Sequence, residues 1–367
     1  MRRVLVVSHA YVDPTSRGKL RALAGRDLDL TVAVPQRWIE PALGRPVETA
    51  WERKNGFELF PVPTKDPGNS EHAGFGRRAL RALVRDKRPE LIQVEEEPTT
   101  LLARQVIALA RKLDIPVVIH TWDRGERKLP FRVRWRRRRM LRRLRGVAAE
   151  NEAVAGFVRR EAPNVPVRVV PRLGIHVPAA PEHVPHEGLA IGFVGRLVRE
   201  KGLDTLLQAL AQLRAEPWHF VIVGDGPDRE RLEQLASNLR LAARVRWPGA
   251  LPPERLPAIW SELDVLVAPA RATTTRTEHA GHLVVEAMAH EVTVLAANTG
   301  VLPELLGDTG VVVPADDATA LAQALLRLGH LGARRPLALA GRARAMKYYS
   351  DDAVAERTLE FWREIVR

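Results

Sequence analysis

Short apolar runs rich in β-branched residues recur along the chain and alternate with stretches of helical periodicity. The runs cover residues 3–8, 30–34, 91–94 and 116–120 in the first half and 189–194, 220–223, 265–267, 292–295 and 311–313 in the second. A run of this kind, bounded by polar residues, is typical of a strand buried on both faces. Helical patterns lie between them at 77–87 and 99–113 and from Gly202 onward. Alternating strands and helices predict parallel sheets covered on both sides.

The alternation is interrupted by a proline-rich stretch between Val177 and Gly188. That composition is typical of a linker, and 367 residues exceed what one hydrophobic core ordinarily spans. We therefore predict two α/β domains, at 1–178 and 188–348, joined by a linker at 179–187. They are either two unrelated domains or two Rossmann-like parallel-sheet domains facing across a cleft, with ligand at the carboxyl ends of the strands.

Charge is divided unevenly between the two halves. Residues 1–178 carry a net charge of +16, whereas residues 179–367 carry −3. A strongly basic half predicts an anionic partner. The chain has no cysteine, which excludes thiol catalysis, cysteine-ligated zinc and disulfides. No apolar run approaches the ~18 residues of a membrane span, and the first is too short for the core of a signal peptide, so we expect a cytoplasmic protein.

Two segments of the second half suit a nucleotide ligand. In one, Gly195 and Arg196 follow an apolar run, and Lys201 precedes the next helix. Glycine admits a ligand close to the backbone, a helix N-terminus favours an anion, and the two cations can clamp a diphosphate. An ordinary strand–turn–helix with two solvated cations explains the same pattern.

In the other segment, seven residues separate Glu278 from Glu286, with Gly281 between them. Glu286 stands among apolar residues, and a carboxylate buried there needs hydrogen-bond donors. A ligand with paired hydroxyls, such as a ribose, meets that need, and so does a buried salt bridge.

These segments, taken with Gly300 and Glu304, resemble the donor-site signature of glycosyltransferase family four. The family's E-x7-E motif matches Glu278 and Glu286, and its strand–Gly-Arg–Lys-Gly element matches residues 195–202. Gly224 and the Gly249 turn stand in the family's order, so the resemblance covers essentially all of 188–367 and extends loosely over the first half. It implies two Rossmann-like domains (the GT-B fold), retaining transfer from a nucleotide-sugar, and a C-terminal helix at 349–367 that crosses back to the first domain.

The resemblance also implies roles for individual residues. Arg196 and Lys201 would neutralise the leaving diphosphate, Glu278 would contact the transferred sugar, and His120 would meet that sugar from the first domain. By itself, a histidine at a strand end is more often structural. No metal and no dedicated base are implied. The implied nucleotide-sugar-binding residues are Gly195, Gly224, Gly249, Gly281 and Glu286.

The chain departs from the family pattern at several positions. Many members carry a Gly-Gly loop after the first strand, where this chain has Ser8-His9-Ala10-Tyr11-Val12-Asp13-Pro14. Ala280 replaces the usual aromatic residue, and Glu291 falls where a turn residue is common. These differences leave the predicted phosphate clamp and both glutamates in place.

An arginine-rich segment covers residues 131–147 and contains nine arginines. Wound as one helix, it places Val133, Met140, Leu141, Leu144 and Val147 in one sector, with Arg137 as the exception inside it. Aromatic and basic residues fall on the other side, which suits an anionic membrane surface, a polyanionic acceptor or nucleic acid. A plain solvated helix is the alternative. The residues predicted to meet an acceptor or membrane are Trp135, Arg138, Arg139 and Arg142.

We therefore expect a metal-independent retaining glycosyltransferase, peripheral on the inner face of a membrane or free in the cytoplasm. Its partners would be a nucleotide-sugar donor and an anionic or lipid-linked acceptor, such as a cell-envelope glycan. A nucleotide-sugar epimerase of the same fold and a catalytically weakened nucleotide-binding scaffold are the rivals. The interpretation as a nucleic-acid-binding protein depends on the arginine-rich segment alone. A nicotinamide dehydrogenase is disfavoured because no G-x-G-x-x-G follows the first strand.

Overall fold

Two large sheets organise the chain in the computed structural model, which describes residues 1–39, 46–69, 71–123, 130–271 and 281–367. Each sheet belongs to its own unit of the chain. The first unit is Met1–Gly174 together with Asp351–Arg367, and the second is Ile175–Ser350. The predicted fold class, α/β with two parallel-sheet domains, is confirmed.

The first unit is built on an eight-stranded sheet. Its strands and those of two small ribbons are β1 (Arg3–Val7), β2 (Asp29–Pro35), β3 (Arg37–Ile39), β4 (Pro46–Glu48), β5 (Glu52–Lys54), β6 (Phe57–Val62), β7 (Thr64–Lys65), β8 (Gly74–Phe75), β9 (Leu91–Glu95), β10 (Val117–Thr121), β11 (Gly146–Ala149) and β12 (Val167–Val169). The sheet order is β12-β11-β10-β9-β1-β2-β6-β5, and the β5–β6 pair is antiparallel. The helices of this unit are α1 (Gly18–Ala24), α2 (Arg77–Lys87), α3 (Leu101–Lys112), α4 (Phe131–Leu141), α5 (Glu152–Glu161) and the late helix α13 (Asp351–Val366).

The second unit carries a six-stranded parallel sheet in the order β15-β14-β13-β16-β17-β18. Its strands are β13 (Leu189–Val194), β14 (Trp218–Val223), β15 (Val245–Gly249), β16 (Val265–Ala268), β17 (Thr293–Ala297) and β18 (Val311–Val313). Its helices are α6 (Leu203–Gln212), α7 (Arg229–Asn238), α8 (Leu256–Ser261), α9 (His282–Ala289), α10 (Leu302–Leu306), α11 (Ala318–Leu328) and α12 (Leu331–Tyr348).

The apolar runs form central strands because both of their faces are covered. In β1, Val4 and Val6 pack into one core cluster, whereas Leu5 and Val7 pack into the cluster on the other side of the sheet. None of the four is more than 1% exposed. A strand with no polar face has a place only in a sheet covered on both sides.

The arginine-rich segment is not one helix, and the prediction of a single sector through Val147 is wrong. Helix α4 ends at Leu141, and Gly146 begins β11, where Val147 pairs with Ile119 of β10. A Cβ on Gly146 would lie 2.7 Å from Ile365 of α13, so the chain passes this point as an extended strand beneath a helix. Pairing with the sheet therefore overrides the local helical pattern.

Helix α13 packs in the first unit although it follows the second unit in sequence. Trp362 of α13 is fully buried, and its indole N–H donates to Gln93 of β9 at 2.6 Å. Residues 179–187 form no helix or strand, and within them the amide of Val184 donates to Ser261 of the second unit at 2.8 Å.

Candidate functional site

The second sheet has a topological switch point between β13 and β16. Strand β13 is followed in sequence by its neighbour β14 on one side, and it pairs with β16 on the other. The loops that leave β13 and β16 therefore diverge at the carboxyl ends of these strands. Crevices of this kind are where open α/β sheets bind ligands.

A cavity of about 260 Å³ lies at this switch point. It is lined by Lys201 after β13, by 268–270 at the end of β16, and by 281–284 at the start of α9. One cation and the N-terminal turn of a helix thus face the same space. Both features favour an anionic ligand such as a phosphate.

Glycines carry the backbone past the ends of three neighbouring strands. Gly195, Gly224 and Gly249 have φ angles of +154°, +140° and +82°, which side chains disfavour. The amide of Gly224 donates to the carbonyl of Gly249 at 2.8 Å, and a Cβ on Gly224 would lie 1.8 Å from the carbonyl oxygen of Gly195. Glycine therefore stands at the positions where the backbone has a positive φ or passes too close to another strand end for a side chain.

The two cations of the predicted diphosphate clamp differ in position, because Lys201 lines the cavity and Arg196 does not. Gly202, with φ +68°, ends a 3-10 turn at 199–201, and a Cβ on it would lie 2.1 Å from the carbonyl oxygen of Pro269. This contact brings the turn against the end of β16 and turns half-buried Lys201 toward the cavity. Arg196 is exposed and is not among the lining residues; within the described ranges it makes no hydrogen bond or ion pair.

Arg271 holds the same turn, and the sequence analysis missed it. Its amide donates to the carbonyl of Glu200 at 2.8 Å, and its guanidinium donates to the carbonyl of Arg199 at 3.1 Å. The guanidinium also pairs with Asp204 at 3.0 Å and with Asp316. A single arginine after a strand carries no signal by itself, because these partners lie far away in sequence.

Helix α9 begins at Gly281, where φ is +48° and a Cβ would lie 1.9 Å from Leu305. The Glu286 carboxylate is 23% exposed and lies 3.1 Å from Nε2 of His282, one helical turn earlier. His282 also lines the cavity, so Glu286 reaches the site through this histidine. The i, i+4 spacing was the available sequence signal for the pair. Glu278 lies outside the described residues.

His120 is buried at the end of β10 in the first unit, with 1% exposure. Its Nε2 lies 3.0 Å from the carbonyl oxygen of Val170 and 3.2 Å from a Glu150 carboxylate oxygen. Burial would raise the pKa of Glu150, but hydrogen bonding and attraction to His120 lower it below its usual value. The role of His120 in transfer stays a prediction.

Helix α4 exposes aromatic side chains beside cations. Phe131 is 78% exposed and Trp135 is 53% exposed, and the guanidinium of Arg139 lies 5.2 Å from the Trp135 ring. Arg142 is exposed and unpaired among the described residues. No helix of the described ranges is both long enough and apolar enough to cross a membrane.

Two arginines of α4 are held by ion pairs. Arg138 donates to both carboxylate oxygens of Glu161 at 2.9 Å each. Arg137 is 4% exposed and lies 3.1 Å from Asp123, as expected for the arginine that falls in the apolar sector. Of the four predicted surface residues, Arg138 is therefore the one that an ion pair neutralises within the described ranges.

Comparison with protein families agrees with this architecture. Residues 180–346 match the family described as "Glycosyl transferases group 1". Residues 12–172 match the "Glycosyl transferase 4-like domain". The chain belongs to glycosyltransferase family four.

Among similar proteins, a 2-deoxystreptamine glucosyltransferase of Streptomyces kanamyceticus is 32% identical over 59% of this chain and 62% of its own. A GDP-mannose-dependent phosphatidylinositol monomannoside mannosyltransferase of Mycolicibacterium smegmatis is 37% identical over 36% of each chain. The match to this chain thus covers less than two thirds of the length of each of these relatives.

Solved structures share the fold over the whole length. A sucrose-phosphate synthase from Thermosynechococcus elongatus has a TM-score of 0.75 at 19% identity, covering 100% of this chain and 99% of its own. The Anabaena protein HepE, in complex with UDP and glucose, has a TM-score of 0.69 at 17% identity, covering 99% of this chain and 100% of its own. At these identities the likeness establishes the fold.

Proposed function

We propose that this protein is a retaining glycosyltransferase that moves a sugar from a nucleotide-diphospho-sugar to a hydroxylated acceptor. The observation that carries the proposal is the cavity at the β13–β16 switch point in a member of this family. Lys201, the positive-φ Gly281 and the first turn of α9 line this cavity and combine the features of a diphosphate site.

The chemistry assigned to the cavity is stabilisation of a leaving group. Cleavage of the bond between the anomeric carbon and the diphosphate leaves negative charge on the phosphate oxygens. A fixed cation in a sheltered site stabilises that charge, which is commonly the largest catalytic contribution. We assign this role to Lys201, which lines the cavity, and we assign the second cation to exposed Arg196. With both cations available the reaction needs no metal, so activity should persist in a chelator.

Glu286 and His282 form the proposed ribose subsite. A carboxylate accepts hydrogen bonds from two adjacent hydroxyls, and His282 holds Glu286 at 3.1 Å while lining the cavity. Glu278 is proposed to contact the transferred sugar, as the family motif implies.

The proposed acceptor is anionic or lipid-linked. The basic first half and the exposed aromatic and arginine side chains of α4 support this proposal. One relative is named for a phosphatidylinositol mannoside acceptor, and another is named for 2-deoxystreptamine.

A thermal-shift panel of UDP, GDP, ADP and their common sugars tests the donor site. Ligand at about 100 times its Kd adds ~2.7 kcal/mol to stability, which shifts the midpoint measurably. One nucleotide family should shift the wild type and fail to shift Glu286→Ala, while exposed Glu216→Ala serves as the matched control and responds like wild type. No shift with any nucleotide would favour the scaffold alternative.

Retention needs its own experiment. With the nucleotide family known, the anomeric configuration of the product is compared with that of the donor by NMR. The same configuration supports the proposal, and inversion contradicts it. Turnover of the donor to an epimer without acceptor would instead identify the epimerase alternative.

A further inference from the structure

The first sheet has a switch point of its own, between β1 and β9. Strand β1 leads to its neighbour β2 on one side, whereas β9 leads to its neighbour β10 on the other. The loops after β1 and β9 therefore diverge, as do those that border the cavity of the second unit. His9 lies two residues beyond β1, and Glu96 directly follows β9.

The His9 ring is fixed from two sides. Its Nδ1 lies 2.5 Å from a carboxylate oxygen of Glu96, and its plane stacks on Trp38 with ring centroids 4.9 Å apart and an interplanar angle of 23°. An ionised carboxylate has no proton to donate, so Nδ1 carries the hydrogen and donates it. The free nitrogen, Nε2, is thereby held in one direction.

Nε2 of His9 is available to a ligand. It makes no hydrogen bond within the described ranges, and it is not among the fully buried atoms that lack a partner. The His9 side chain is 18% exposed. A ring clamped at Nδ1 and open at Nε2 is the arrangement in which a carboxylate orients a functional histidine.

Glu96 is expensive to bury for a purely structural residue. Its side chain is 3% exposed, and its second carboxylate oxygen is buried without a hydrogen-bond partner among the described residues. The neighbouring Glu95 also has one buried oxygen without a partner among the described residues, but its other oxygen accepts from Lys19 at 2.6 Å and from Gln93 at 2.8 Å, so a cation balances its charge. The cost of burying the Glu96 carboxylate is thus offset by a single hydrogen bond, and that bond orients His9.

We propose that His9 and Glu96 form a hydroxyl-binding subsite for the acceptor, in which Nε2 of His9 bonds a ring hydroxyl of a cyclitol or sugar. Glu96 is the positioning residue. A hydroxyl both donates and accepts, so it matches Nε2 whether the imidazole is neutral or protonated. The Glu96 carboxylate beside His9 disfavours an anionic group here. The inference rests on the proposed function and assigns a neutral part of its acceptor.

The test measures binding of two neutral probes by saturation-transfer NMR with UDP present: myo-inositol and methyl α-D-glucopyranoside. At least one should bind wild type saturably. His9→Phe keeps a ring on Trp38 but removes both nitrogens, and it should weaken that probe's Kd at least about tenfold. Exposed His72→Phe is the matched control and should bind like wild type.

A second readout separates ligand contact from structural support. The Cε1–H signal of His9, assigned by its absence in His9→Phe, should move when the bound probe is titrated. Glu96→Gln retains an oxygen for Nδ1–H and should weaken binding less than His9→Phe does. Normal probe binding by a folded His9→Phe, an unmoved His9 signal, or no binding of any probe to wild type would overturn the subsite.

The thermal-shift panel of nucleotides distinguishes failure of the acceptor subsite from failure of the proposed transferase function. Nucleotide binding belongs to the second unit, so a nucleotide shift without polyol binding rejects the subsite and leaves the transferase proposal standing. Polyol binding that depends on His9 without any nucleotide shift rejects the transferase proposal and retains the subsite.

Discussion

The carbonyl oxygen of Gly195 occupies the place that a side chain on Gly224 would need. A Cβ there would lie 1.8 Å from that oxygen, and the backbone of Gly224 has a φ of +140°. Backbone on both sides of the contact leaves no flexible atom to move aside. The carboxyl ends of β13 and β14 are therefore joined more closely than any other residue type permits.

Gly224→Ala should consequently destabilise the protein by about 2 kcal/mol or more, because the clash and the backbone strain act together. It should also weaken the thermal shift by nucleotide. Denaturant unfolding and the nucleotide panel measure the two effects. Gly332→Ala is the matched control, since nothing lies within 4 Å of its Cβ position, and it should be neutral or slightly stabilising. Wild-type stability of Gly224→Ala would contradict the geometry.

Arg271→Ala should weaken nucleotide binding at least about tenfold, because a small displacement of a positioned cation is costly. The guanidinium of Arg271 bonds the carbonyl of Arg199, two residues before Lys201 in the same turn, and alanine removes this bond. Arg271→Lys should recover little, since an ammonium lacks the guanidinium fork. Calorimetric titration measures the affinity. Exposed Arg335→Ala is the control, and equal affinities for the two alanine variants would refute the positioning role.

Glu97→Gln should change how stability depends on pH. Burial raises the pKa of the Glu97 carboxyl to about 7, although hydrogen bonds from Thr121 and the Trp122 amide lower it. A raised folded-state pKa contributes stability below the unfolded value, and that contribution is lost as pH rises through about 7. The melting temperature of Glu97→Gln relative to wild type should therefore rise between about pH 5 and pH 8. Exposed Glu187→Gln should show a flat difference, and a flat Glu97→Gln difference would contradict the shifted pKa.

Helix α4 should bind vesicles that contain phosphatidylglycerol at low salt. Trp135→Ser and Arg142→Ala should each weaken binding, the arginine by about 1 kcal/mol, or roughly fivefold. Arg138→Gln should have a smaller effect because Glu161 already neutralises that side chain. Cosedimentation at several salt concentrations measures binding. Wild type that fails to sediment with anionic vesicles would exclude the membrane version of the acceptor proposal.

Elements whose pattern is complete within themselves could be predicted from sequence. Helix α2 has the predicted bounds, because Leu80, Leu83 and Val84 form one buried face and Arg88, at φ +45°, ends it. The segment after Leu141 could not be predicted, since its helical pattern continues while pairing with β10 makes it a strand. Local periodicity identifies an element only where no distant strand competes for the same residues.

The site divides in the same way. The positions of Gly195, Gly224 and Lys201 in the fold could be predicted, because glycines at strand ends and a cation before a helix are local signals, whereas their roles in ligand binding stay predictions. The pairing of His9 with Glu96 joins residues 87 positions apart, and Arg271 reaches Arg199 from 72 positions away. No spacing rule links such residues before the order of strands is known. The parallel sheet, which brings the ends of distant strands to one edge, creates these contacts.

The position of α13 has a consequence for synthesis. Residues 175–350 separate this helix from the strands it covers, so the ribosome completes a whole second unit before the first receives its last buried tryptophan, Trp362. Until then the nascent first unit exposes the apolar surface that α13 will cover. The first unit therefore begins to be synthesised before the second unit, but it can complete its folding only after the second unit has been synthesised.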